Sequence, residues 1–134
     1  MTCVMTASLY ASHLSAETKI YMKVIHGLYP TKKVVHIWAD TKKYRHMFHN
    51  KEGIVVVDSL QDADIVFVAS QKDIKTKHPK FILSHSLLKH YYQDAVGGFY
   101  WQKGRPNLLF FQSVLQKFGI SLDPSLQEYI EEEL

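Results

Sequence analysis

Cysteine is nearly absent from this sequence: Cys3 stands alone, so no disulfide can form within the chain. The fold must be held by burial, and 134 residues at 46% hydrophobic content bury a core without a covalent or metal staple. Proline and glycine are sparse, at four and six, and no low-complexity linker or internal repeat divides the chain. No apolar run approaches the roughly 20 residues that a membrane-crossing helix needs. Basic residues are missing from the last fourteen positions. All 16 Lys and Arg lie before residue 121, together with 8 of the 13 acids. The body thus carries +8 and the end −5. A basic body attracts phosphates, anionic lipid or an acidic partner, but scattered lysines also read as an ordinary solvated surface.

Catalytic signatures are missing as well. There is no Gly-x-Ser-x-Gly elbow, Walker loop or Gly-x-Gly-x-x-Gly fingerprint. The acids Asp58, Asp62 and Asp64 are close in sequence but span a turn and a strand start. Eight histidines invite a metal reading, yet only His46 and His49 are spaced to share a helix face, and no Cys or carboxylate completes a ligand set. We therefore expect no metal and no cofactor. Charge alone does not make a nucleic-acid binder without a recognised motif, so none is expected.

What is there is a regular alternation of elements. Glu17–Tyr29 carries apolar residues at Ile20, Tyr21, Val24, Ile25 and Leu28, which is helical spacing. Lys33–Ala39 reads as a strand, and Asp40 or Thr41 caps a helix running to about His49. Ile54–Val57, Asp64–Ala69 and Lys80–Leu83 are three further apolar strands. Ser84 caps a helix over His85–Tyr92. Ala95–Gln102 and Asn107–Phe111 form a hairpin around Lys103-Gly104-Arg105-Pro106, with Pro106 marking the second strand as an edge. Ser113–Phe118 is a helix stopped by Gly119, and Asp123-Pro124 opens the last one. Uniformly apolar strands are covered on both faces. The pattern predicts an α/β protein: a three-layer sandwich with a mostly parallel sheet, a C-terminal antiparallel hairpin and helices after it. Residues 16–134 form one domain. Residues 1–15 resemble the apolar part and small-residue cleavage region of an export signal without its basic start, with cleavage near Ala11 or Ala16.

Two constellations are candidate sites. Ligands of open α/β sheets sit at the carboxyl ends of the parallel strands. Here those ends offer Ser70, Ser84 and His85 to a small anion, with Ser84 and His85 at a helix N-terminus. The same residues also read as ordinary caps and turn residues. The second is the aromatic row Phe99-Tyr100-Trp101 with Arg105, which reads as core packing or as a docking surface of the kind enriched in binding hot spots. On that reading Phe99, Trp101 and Arg105 contact a partner.

The segment 95–133, with Phe99, Gly104-Arg105, Phe110, Gly119-Ile120 and Leu126, resembles the C-terminal end of the YfiR-like family of small periplasmic regulatory proteins. The stretch DADIVFVAS around Ile65–Ala69 is similar to that family's internal strand. The resemblance implies an exported, non-catalytic regulator that restrains a membrane-bound, cyclic-di-GMP-synthesising signalling protein. The chain departs from the family in lacking paired cysteines, in carrying Pro106 and Asn107 after the Gly-Arg pair, and in its shorter N-terminal half. The alternative readings are a periplasmic sensor or solute-binding protein for a small anionic ligand, and a hydrolase or metal enzyme. A homodimer remains open as a further partner state.

Overall fold

A computed structural model of the chain describes residues 16–131. The leader-like stretch over residues 1–15, with Cys3, lies outside the described residues. The first helix, α1 (16–28), forms where the apolar spacing places it: Tyr21, Val24, Ile25 and Leu28 are buried, while Lys19, Lys23 and His26 stay exposed. The chain continues as β1 (Val35–Ala39), α2 (Lys42–Phe48), β2 (Ile54–Val56), β3 (Ile65–Val68), β4 (Lys80–Ile82), α3 (His85–Leu88), β5 (Ala95–Gln102), β6 (Arg105–Phe111), α4 (Gln112–Lys117) and β7 (Ile130–Glu131). A short 3-10 helix, Pro124–Tyr129, precedes β7 and has Pro at its start and the Asp123 carboxylate accepting from the Ser125 N–H.

One seven-stranded sheet runs in the order β2-β1-β3-β4-β5-β6-β7. Every neighbouring pair is parallel except β5 and β6. The expected α/β sandwich with a mostly parallel sheet and a C-terminal hairpin is the observed fold. On one face, α1 packs its Tyr21 ring edge-on against Tyr44 and Phe48 of α2, and against Phe67 and Phe99 of the sheet, at centroid distances of 5.4 to 6.1 Å. Phe67, Phe81 and Phe110 continue this aromatic row across β3, β4 and β6. Edge-to-face contacts of this kind each add about 1 kcal/mol beyond burial. On the other face α3 presses Leu88 against β5 at Gly98.

Three expectations are corrected. The hairpin turn is Lys103-Gly104 alone, both with positive φ (52° and 74°). Two such residues match the right-handed twist of the strands they join. Arg105 and Pro106 therefore lie inside β6, paired with Gln102 and Trp101. β6 is also not wholly an edge, because β7 pairs with it at Phe110 and Phe111, so Pro106 occupies the part that β7 leaves open. The helix expected over His85–Tyr92 is one turn, His85–Leu88; the chain then proceeds as turns, with Tyr91 drawn to another loop through its hydroxyl, which donates to the Gln71 carbonyl at 2.6 Å. The uniformly apolar strands β3 and β4 are buried on both faces, as expected. β1 alternates buried and half-buried residues, with His36 and Trp38 on the more open side, and Val55 of β2 is 43% exposed.

Gly97 and Gly98 mark a close approach of backbone within the sheet. The β4–β5 register slips between Lys80 and Phe81, leaving Val96 as the extra residue. A side-chain carbon on Gly97 would fall 2.3 Å from the Leu109 carbonyl oxygen, and one on Gly98 2.7 Å from that of Ile82. Only hydrogen fits at either position.

Candidate functional site

The sheet changes direction of winding between β1 and β3: the chain leaves β1 for β2 on one side and returns to β3 on the other. That is the crevice where open α/β sheets bind ligands. Here the chain's own carboxylate fills it. Asp40, just past β1 and 8% exposed, accepts the backbone N–H groups of Ala69, Ser70 and Gln71 at 2.9, 2.9 and 2.8 Å. Those three donors follow β3 and converge as they would on a bound anion. Of the two residues expected to cap α2, Thr41 holds the N-cap position, without a side-chain hydrogen bond, and the Asp40 side chain reaches across to the loop after β3.

The three residues expected to bind a small anion face different partners. Ser70 donates its N–H to Asp40, with its hydroxyl 3.5 Å from the same carboxylate oxygen. The Ser84 hydroxyl pairs with that of Ser86 at 3.0 Å. The His85 ring lies against Tyr100 of β5, at 4.9 Å between centroids. A single-turn α3 also has too few aligned peptides to present the dipole expected of it.

The hairpin residues divide as well. Phe99 and Trp101 share a sheet face, as alternation requires, and their rings meet edge-on at 6.2 Å. Phe99 lies beneath α1 and is 3% exposed, whereas Trp101 lies further out and is 46% exposed. Phe99 is thus a core residue, correcting its place in the expected docking surface. Trp101 is held from beneath by the Phe99 ring and laterally by its indole N–H, which donates to Glu17 of α1 at 3.5 Å. Glu17 is itself buried, at 7%, and nothing in the sequence signalled this role across a separation of 84 positions. Arg105 is exposed at the first strand position after the turn. With Gln102, Lys103 and Asn107 it lines a concavity of about 420 Å³ at the hairpin end. The arrangement is a short basic tip on the face of Gln102 and Asn107, with the half-exposed Trp101 indole on the other face of the hairpin.

At the opposite, amino-terminal ends of the strands two carboxylates organise basic groups. Burial alone would raise the Asp64 pKa, but the His36 backbone N–H and the Lys32 and His36 side chains hold it below the usual carboxylate range. Asp94 follows the same pattern: burial raises it, while Lys117 and Lys80 outweigh that and lower it. Lys80 is 1% exposed, unlike the solvated surface lysines the composition suggested. Its ammonium donates to the Thr76 carbonyl at 3.1 Å and to Asp94 at 3.3 Å.

Among the described residues no group of three or more His, Cys, Asp or Glu is placed to hold a metal ion, and no helix is long and apolar enough to cross a membrane. No family model matches the chain, and neither does any curated protein.

Proposed function

We propose that the chain is an exported, non-catalytic regulatory module that docks on a membrane-bound signalling protein, of the diguanylate cyclase class, through the β5–β6 hairpin tip. The observation that carries the reading is the tip itself: Trp101 is 46% exposed on one face of the hairpin, and Arg105, paired with Gln102, is exposed on the other face next to the two-residue Lys103-Gly104 turn. Trp and Arg are enriched among the residues that dominate binding energy at protein interfaces, each offering a large area and directional polar contacts. A positively charged tip favours an acidic patch on the partner. The resemblance of residues 95–133 to YfiR-like regulators supports export and the class of partner. The crevice at the β1–β3 ends, filled by Asp40, supports recognition by surface rather than by a pocket at the sheet's switch point.

Photo-crosslinking from position 103 in living cells tests the proposal. The expected product is a membrane-anchored cyclase joined through its extracytoplasmic part, and it is lost in the Trp101→Ala, Arg105→Ala double variant. Equal yield from the double variant, or crosslinks to cytoplasmic proteins alone, overturns it.

A further inference from the structure

A second group of cations lies away from the hairpin. Lys42, Arg45 and His46 follow the spacing that sets side chains along one side of a helix, and His49 follows at its C-cap. They line an open concavity of about 430 Å³ on the outer side of α2, bounded by Val56 and Asp58 at and after the end of β2. The opposite side of α2 carries Tyr44 and Phe48 into the core, so packing requires apolar residues there but gives no reason for four basic ones here. Arg45 is already oriented: one guanidinium nitrogen, Nη1, donates to the Ala39 carbonyl at 3.2 Å. The Lys42, His46 and His49 side chains have no hydrogen bond or ion pair among the described residues. A single carboxylate, Asp58, faces two full cations and two imidazoles.

We propose that this cavity binds a small phosphomonoester. A phosphoryl group carries up to two charges and three strong acceptor oxygens, which suits several converging N–H donors. A guanidinium supplies the forked pair that matches its oxygens. The volume lies within the span of small-molecule sites, roughly 300–1,000 Å³. Val56 offers an apolar wall to an organic body attached to the phosphoryl group. The site uses none of the hairpin residues, so it stands or falls separately from the docking proposal.

The test is amide chemical-shift mapping at constant ionic strength, with phenyl phosphate as probe. Phenol, inorganic phosphate and vesicles containing phosphatidylglycerol are the comparisons. The expected result is saturable shifts confined to residues 42–49 and 56–58, with phenol inert and inorganic phosphate weaker. Lys42→Gln with His46→Gln weakens phenyl phosphate roughly tenfold or more, while Trp101→Ala with Arg105→Ala leaves it unchanged. Both substituted α2 residues are exposed, and an unaltered melting temperature verifies that the variant is folded. Shifts spread over all lysines, unchanged affinity in the α2 variant, or binding to vesicles alone overturns the site. Inorganic phosphate binding as tightly as phenyl phosphate contradicts the ligand class.

Discussion

The carboxylate of Asp40 accepts the backbone N–H of Ser70 at 2.9 Å, joining the end of β1 to the loop after β3 across the switch point of the sheet. Ala69 and Gln71 donate to the same carboxylate. Removing it leaves three converging donors without their acceptor. We predict that Asp40→Ala costs about 3 kcal/mol and Asp40→Asn about half of that, since charged hydrogen bonds contribute more than neutral ones. Urea unfolding measures the loss, and hydrogen exchange should accelerate first at Ala69, Ser70 and Gln71.

The pairing of buried Lys80 with half-buried Asp94 gives an asymmetric prediction. Asp94→Ala strands the Lys80 ammonium inside the protein and should cost roughly 3 kcal/mol, because an uncompensated buried charge is strongly destabilising. Lys80→Met removes the charge together with its need for a partner and should change stability by no more than about 1 kcal/mol. Urea midpoints of the two variants, compared side by side, check the order. Equal losses contradict it.

Acid should unfold the protein through Asp64 and Asp94. Both are held below the usual carboxylate range in the folded chain, so the unfolded chain binds their protons first as pH falls. Their contribution to stability is present above the unfolded value of about 4 and is lost as pH falls through the folded values. Stability measured between neutrality and strong acid should therefore decline below about pH 5. Asp64→Asn and Asp94→Asn should each flatten that decline.

Gly97→Ala should be among the most damaging small substitutions. Its methyl would meet the Leu109 carbonyl oxygen at 2.3 Å and the Phe110 ring at 2.8 Å, and backbone paired on both sides cannot retreat. A loss of about 3 kcal/mol, the upper end for overpacking, is expected in thermal or urea unfolding. Gly104→Asn, at a turn with open space around it, should be tolerated because Asn accepts positive φ.

The first six strands were legible along the sequence because each is a short apolar run bounded by turn residues, whereas β7, two residues long, was read as part of a last helix. Long-range pairing was not legible. Asp40 reads locally as a helix cap, and only the fold brings the Ala69–Gln71 N–H groups within its reach. Lys80 reads as surface charge, yet β4 is interior and Asp94 arrives from 14 positions away. The turn was read too long because Arg105 and Pro106 look like turn residues, whereas Lys103 was not recognised as adopting positive φ. Alternation correctly put Phe99 and Trp101 on one face, but it does not say where α1 stops covering that face. Trp101 and Arg105 were therefore found as candidates, while Phe99 proved to be core. The basic side of α2 was visible as spacing, and was read only as two histidines.

The most direct measurement of the docking account is the affinity of the purified chain for the extracytoplasmic domain of the crosslinked cyclase, with wild type and the Trp101→Ala, Arg105→Ala variant immobilised in parallel. Two hot-spot losses predict a fall in affinity of about 100-fold or more with the melting temperature little changed. Equal affinity of the two proteins would contradict the account.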